Sequence, residues 1–307
     1  MKEIQTVAIV GMGALGVLYG QLLSQKLDQD HLFFLGDDAR INKLNNEKVY
    51  CNKEECNFRM INPIKENTKV DLLIFSVKST ALLESIELAR PIVSKDTVII
   101  SVLNGITSEE IIEDKLHRKY IIKSVAQGMD AVKIGNQMTY QNFGQICLGI
   151  SKSEEDKKEA LDRLMNFFDF VNLPYTNETD INRRLWGKWM LNIGVNQVVM
   201  VNEGTYRTIQ QEGPARERMK LAMQEVIMVA QKSGVQLTQD DFNAYIKLVD
   251  SLSASGMPSM RQDGLVKRKS EVELFSGALI KKAQLCNVEV PINQALYQEI
   301  IKIESNY

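Results

Sequence analysis

The first apolar run of the chain, Val7-Ala8-Ile9-Val10, leads directly into Gly11-Met12-Gly13-Ala14-Leu15-Gly16. No other feature restricts the fold as tightly. Four consecutive apolar residues suit a buried strand, and a helical pattern runs from Val17 to Gln29. A G-x-G-x-x-G spacing between such a strand and such a helix is the dinucleotide fingerprint in the context it requires. The first glycine permits the tight turn. The second lets the backbone approach a pyrophosphate, and the third lets the helix pack close to the strand. Backbone N–H groups and the dipole at the helix start then favour the phosphates. Gly11, Met12, Gly13, Ala14, Leu15 and Gly16 are therefore candidate cofactor-binding residues.

The rest of the first half alternates strand and helix patterns. His31–Leu35, Asp71–Val77, Thr97–Leu103 and Tyr120–Val125 read as further strands. Ala39–Asn46, Leu82–Arg90 and Ser108–Asp114 read as helices between them. Near-continuous apolar strands alternating with helices imply a parallel sheet covered on both faces. Met138–Ile150 has shorter β-rich stretches and reads as antiparallel edge strands. The pattern changes near residue 151. Leu161, Leu164, Phe167 and Phe168 recur at helical period, Val171–Asn177 reads as a connection, and the remainder is almost all helical. The expected helices span 181–203, 212–233, 239–254 and 264–286. In the second of these, Met219, Ala222, Val226 and Val229 mark a core-facing stripe, and Thr238 reads as an N-cap with Asp241 three positions on. At ~150 residues per domain, 307 residues imply about two. The expectation is an α/β, Rossmann-type doubly wound sheet at 1–175 and an all-α substrate-binding and catalytic domain at 176–307.

Composition then narrows the chemistry. A net charge of −2 argues against nucleic-acid or anionic-membrane partners, which select for basic surfaces. The only histidines are His31 and His117, which excludes a His-rich metal centre, and no metal is expected. Cys51 and Cys56 lack zinc-ligand spacing, and with Cys147 and Cys286 they read as free thiols of a reducing compartment. The N-terminal apolar run is too short for a signal peptide and no run reaches the ~18 residues of a membrane span, so the chain reads as cytoplasmic. Methionines at 190, 200, 219, 223 and 228 leave a homodimer surface open.

The second informative segment carries Lys188, Asn192 and Asn196 at i, i+4 and i+8. On a helix these advance by about 40° per step and form one polar stripe. Trp186, Trp189, Met190, Leu191, Ile193, Val195 and Val198 surround them. One charge and two amides among apolar neighbours suit a polar cleft for a small anion better than a solvated face. A partly desolvated lysine can titrate low enough to donate a proton near neutrality, and reduction of a carbonyl needs one for the developing alkoxide. At the end of the second strand, Asp37 and Asp38 suit the ribose hydroxyls of NAD, whereas Arg40 suits the 2′-phosphate of NADP.

These blocks together resemble the ketopantoate reductase family, over nearly the whole chain. The resemblance rests on Gly11–Gly16, Val77-Lys78, Asn104-Gly105 and Lys188-x3-Asn192-x3-Asn196. It continues from Ser259-Met260-Arg261-Gln262-Asp263 to Ser270-Glu271-Val272-Glu273. It implies reduction of a small 2-oxo acid, 2-dehydropantoate, to pantoate in pantothenate biosynthesis, with NADPH the usual hydride donor. It also implies Lys188 as general acid and Glu271 as the carboxylate that contacts substrate. Asn192, Asn196 and Ser259 match positions for the substrate's carboxylate and hydroxyl ends. Asn104 matches the nicotinamide–substrate junction, and Lys78 matches a lysine near the cofactor phosphates. Members that prefer NADPH often carry an arginine directly at the end of the second strand. Gly36-Asp37-Asp38 stands there instead, so NADH stays open beside NADPH. Two other readings stand beside this one: a dehydrogenase of another short branched 2-oxo or hydroxy acid, and a non-catalytic dinucleotide sensor.

Overall fold

The computed structural model describes residues 2–66 and 68–307. The chain divides into two compact units: residues up to Leu103 with Thr107–Ile181, and Asn104–Ile106 with Asn182–Tyr307. The first contains strands β1 (Val7–Val10), β2 (Leu32–Leu35), β3 (Val49–Cys51), β4 (Glu54–Cys56), β5 (Met60–Ile61) and β6 (Leu72–Phe75). Strands β7 (Val98–Ser101), β8 (Ile121–Gln127), β9 (Val132–Ile134), β10 (Gln137–Thr139), β11 (Gln145–Gly149) and β12 (Tyr175–Asn177) follow. Its helices are α1 (Ala14–Leu23), α2 (Asp38–Asn46), α3 (Leu82–Ala89), α4 (Ser108–Leu116) and α5 (Lys158–Val171).

Every residue of β1, β2, β6 and β7 is buried, which is why they read as unbroken apolar runs. The main sheet runs β12-β11-β8-β7-β6-β1-β2-β5. From β5 to β8 every neighbouring pair is parallel, and the order is that of a doubly wound sheet. Side chains alternate between its faces. Val7, Ile9, Leu72 and Ile74 pack on Tyr19 and Leu23 of α1 and Phe168 of α5. Ala8, Val10, Leu73 and Phe75 pack on Leu82, Ile86 and Ala89 of α3 and Ile112 of α4. The order of strand addition switches sides at β1, where β2 lies on one side and β6 on the other. Ligands of open α/β sheets bind at the carboxyl ends of strands at such a switch point.

The outer end of this sheet differs from expectation. The segment 138–150 does not form the sheet edge: β11 pairs antiparallel with β8, but β12 lies parallel outside it. The connection 171–177 contains that strand, whose three polar or half-buried residues carry no apolar signal. Before it, β9 and β10 leave the main sheet and join β3 and β4 in a four-stranded sheet ordered β4-β3-β10-β9. This hairpin buries Cys51 and Cys56 against Val17 and Leu18 of α1, despite the polar residues between the two cysteines. Burial pushes the Cys56 thiol up to about 12.

The second unit holds α6 (Ile181–Val201), α7 (Arg207–Gln210), α8 (Pro214–Lys232), α9 (Gln239–Ser251), α10 (Ser259–Leu265), α11 (Ser276–Cys286) and α12 (Pro291–Glu304). The α8 stripe is fully buried, and Thr238 and Asp241 form the expected reciprocal cap of α9. Four of the five methionines offered as a dimer surface are core residues, and only Met228 is exposed. Asn293 ties α6, α8, α11 and α12 together. Its Oδ1 accepts from Ser276 Oγ at 2.9 Å and Gln197 Nε2 at 3.3 Å, and its Nδ2 donates to Glu225 Oε2 at 2.7 Å. The single helix expected over 264–286 is broken instead. Lys267 takes a left-handed φ of 50°, and Val272–Leu274 forms a short 3-10 turn before α11. No glycine or proline marks that break, so periodicity alone reads straight through it. Among the described residues, no helix is long and apolar enough to cross a membrane.

Candidate active site

In the first unit the fingerprint turn sits where β1 ends. Gly11 has φ +100°, and a Cβ there would lie 2.7 Å from Ser76 O. A Cβ on Gly16 would lie 2.0 Å from Gly11 O. The protein's own backbone thus forbids side chains at both positions. Gly13 is different, because a Cβ there would meet only Ser76 O, at 3.8 Å. Nothing in the unit's packing demands a glycine at 13, so the open space beside it is the kind of cradle a pyrophosphate needs. Gly13 is also the N-cap of α1, and no side chain caps that helix or places an acid in its first turn. Its terminal N–H groups suit an anion. The turn therefore fits a dinucleotide.

Ser76, which the sequence reading did not single out, holds this turn. Its hydroxyl donates to Val10 O at 3.1 Å and Gly11 O at 2.8 Å, tying the end of β1 to the end of β6. Its only signal is its place at the end of the third long strand. Lys78 follows two residues later and is exposed. At the end of β2, Asp37 caps α2 by accepting from Arg40 N at 2.8 Å. Asp38 accepts from Asn62 Nδ2 at 2.8 Å and Lys65 Nζ at 2.6 Å, which holds its carboxyl below the usual range. Both acids therefore have structural work of their own. The Arg40 guanidinium lies 3.6 Å from Glu84 and is half exposed.

In the second unit, α6 carries the expected stripe. Asn196 is only 4% exposed, while Lys188 and Asn192 are half-buried. Trp189 lies beside Lys188, fully buried, and donates through Nε1 to Leu274 O at 2.7 Å. This bond anchors the 3-10 turn that follows Glu271. On the other side, a Cβ on Gly187 would lie 2.7 Å from the Tyr245 ring, so the glycine lets that ring close on α6.

The six proposed catalytic and substrate residues all fall in this second unit and form two hydrogen-bonded sets. In the first, Lys188 Nζ donates to Asn104 Oδ1 at 3.4 Å, and Asn104 Nδ2 donates to Glu271 Oε2 at 3.1 Å. An ammonium only donates and a carboxylate only accepts, so the amide can face just this way. Asn104 follows β7 closely in sequence, yet it clusters with the helical unit. In the second set, Ser259 Oγ and Met260 N both donate to Asn196 Oδ1 at 3.2 Å, and Asn196 Nδ2 donates to Asn192 Oδ1 at 3.3 Å. Ser259 opens α10 and is exposed.

Comparison with known proteins gives the chain's family. Residues 7–152 match the family model described as ketopantoate reductase PanE/ApbA, and residues 180–304 match the model of its C-terminal part. A 2-dehydropantoate 2-reductase of Aquifex aeolicus is 26% identical over 303 residues, covering 93% of each chain. A dimeric ketopantoate reductase from Staphylococcus aureus superposes with a TM-score of 0.81 at 20% identity, covering 98% of this chain and 99% of that one. A D-mandelate dehydrogenase solved with NADH and anilino(oxo)acetate superposes with a TM-score of 0.84, also at 20% identity, covering 98% of both chains.

Proposed function

Because this chain belongs to the ketopantoate reductase family of NAD(P)-dependent oxidoreductases, we propose that it reduces 2-dehydropantoate to pantoate, a step of pantothenate biosynthesis. The observation that carries this reading is the Lys188–Asn104–Glu271 set. A nicotinamide dinucleotide supplies the hydride when bound, and Gly11–Gly16 and Lys78 are the residues that would hold its phosphates. Lys188 donates a proton to the carbonyl oxygen as it becomes an alkoxide. Asn104 keeps the ammonium in place through Oδ1 and passes the constraint to Glu271. The Glu271 carboxylate offsets the lysine's charge and fixes the amide by accepting from Nδ2. Asn192, Asn196 and Ser259 supply the polar wall that receives the substrate's carboxylate and hydroxyl.

NADPH is the proposed donor, with Arg40 as the contact to the 2′-phosphate. The capping of α2 by Asp37 and the pairing of Asp38 explain both acids without a ribose, which favours this choice over NADH. A homodimer is proposed by analogy with the dimeric Staphylococcus aureus relative. A monomeric mass by light scattering would reject it. The reaction is tested by following nicotinamide absorbance in purified protein given 2-dehydropantoate or phenylglyoxylate, each with NADPH and with NADH. Turnover of 2-dehydropantoate at the higher kcat/KM is expected. A preference for phenylglyoxylate would move the reading to an aromatic 2-oxo acid, and no turnover with any pair would reject it.

A further inference from the structure

Glu271 sits on a turn too short to hold itself. It precedes the three-residue 3-10 turn Val272–Leu274, which Leu274 N closes by donating to Glu271 O at 2.9 Å. A single turn with 3-10 bond geometry has little stability of its own. Two distant helices hold it instead. Ahead of Glu271, Ser270 N donates to Glu304 Oε1 of α12 at 2.8 Å, and Ser270 Oγ accepts from Val272 N at 3.3 Å. Behind it, Leu274 O accepts from Trp189 Nε1 of α6 at 2.7 Å. Trp189 and Glu304 are both buried, so losing either bond would leave a polar group without water to replace its partner. The same turn also reaches the group that Glu271 meets. A Cβ on Gly105 would lie 3.7 Å from the Leu274 side chain, so Leu274 packs beside the residue that follows Asn104. Lys188 and Trp189 are neighbours on α6, about 100° apart around the helix. One enters the Lys188–Asn104–Glu271 set, and the other grips the turn that completes it.

We propose that Trp189 and Glu304 are positioning residues for the reaction. They hold the 270–274 segment from its two ends, so that the Glu271 carboxylate meets the Asn104 amide beside Lys188. Neither acts on the substrate; each acts through Glu271. The inference rests on the reading of the reaction given above, and deepens it by naming what sets the geometry of its charged pair.

The test joins a spectroscopic readout to a kinetic one. In full-length protein labelled with 15N at asparagine, the side-chain NH2 signal of Asn104 is identified by its loss in Asn104→Ser. Glu271→Gln gives the position of that signal when the carboxylate is gone. Trp189→Phe, which keeps a ring but lacks the N–H, and Glu304→Ala should each move the signal toward that position. Glu304→Gln, which keeps an oxygen for Ser270 N, should leave it where the wild type has it. In steady-state assays with saturating cofactor and either 2-dehydropantoate or phenylglyoxylate, Trp189→Phe and Glu304→Ala should lower kcat about tenfold, and Glu304→Gln should restore it. An unmoved signal in either variant removes that residue from the proposal, and a moved signal with unchanged kcat overturns its part in the reaction. Glu304→Gln behaving as Glu304→Ala overturns the role of the Ser270 bond. Thermal melting identifies a Trp189→Phe protein that does not fold, and the two Glu304 variants then decide. A wild-type chain that reduces neither acid fails the reading of the reaction, while the amide signal still decides whether Trp189 and Glu304 place Glu271.

Discussion

Lys188 is the residue on which the proposed chemistry turns. Its ammonium donates to the Asn104 amide oxygen at 3.4 Å, and the Glu271 carboxylate accepts from that same amide at 3.1 Å. Lys188→Ala should lower kcat by ~10² or more with a smaller change in KM, since the lost interaction belongs to the transition state. Near-wild-type kcat would remove Lys188 as the acid. Arg40 and Asp37 test the cofactor at the same scale. Arg40→Ala should raise KM for NADPH by roughly tenfold while affecting NADH less, as expected for a charged contact to one phosphate. Asp37→Ala should affect both cofactors alike, because its carboxylate caps α2. A selective loss with NADH would instead assign Asp37 to the ribose.

Among the elements, the turn from β1 into α1 separates packing from binding. Gly16→Ala would drive a Cβ into Gly11 O at 2.0 Å, a backbone atom that cannot rotate away, and should cost about 1–3 kcal/mol by chemical denaturation. Gly13→Ala has no such clash and should leave stability within about 0.5 kcal/mol, while weakening dinucleotide binding by roughly tenfold or more in a fluorescence titration. Equal stability losses in the two variants would contradict this division. This turn was legible in the sequence because every requirement is local: strand, glycine spacing and helix follow one another. So was the α6 stripe, where i, i+4 spacing alone brings Lys188, Asn192 and Asn196 to one face. The break before α11 was not legible. It depends on a left-handed Lys267 and on the Trp189 indole reaching Leu274 O, a contact 85 residues apart in sequence. Nor was β12, whose partner is chosen by the open edge of β11 and not by its own three residues. Ser76 likewise has meaning only once β1 and β6 lie side by side.

In the whole molecule, the proposed labour is divided between a nucleotide-binding α/β unit and a helical unit that carries the proton donor. The first unit also holds two carboxylates, one buried and one half-buried, that titrate in opposite senses. Burial raises Glu109, more than the hydrogen bonds from Ser108 and Ser124 and the charge of Lys123 lower it. Its contribution to stability is therefore fully present below the unfolded value near 4.5 and is lost as pH rises through the raised folded one. Glu154 is also penalised by burial, but hydrogen bonds from Lys157 and Ser151 hold it down at about 2. Its contribution is present above 4.5 and is lost as pH falls toward 2. Thermal melts across pH should show Glu109→Gln raising the midpoint at alkaline pH by a few degrees, with little effect below the unfolded value. A gain of equal size at every pH would contradict the assignment. The most direct test of the central claim follows the hydride itself. The purified enzyme is given 2-dehydropantoate and NADPH bearing deuterium at the transferred position of the nicotinamide, and the product is examined by mass spectrometry and NMR. The account predicts pantoate with one deuterium on the new carbinol carbon, formed by the wild type and formed far more slowly by Lys188→Ala. Absence of labelled pantoate with the wild type, or labelled product made equally fast by Lys188→Ala, would contradict it.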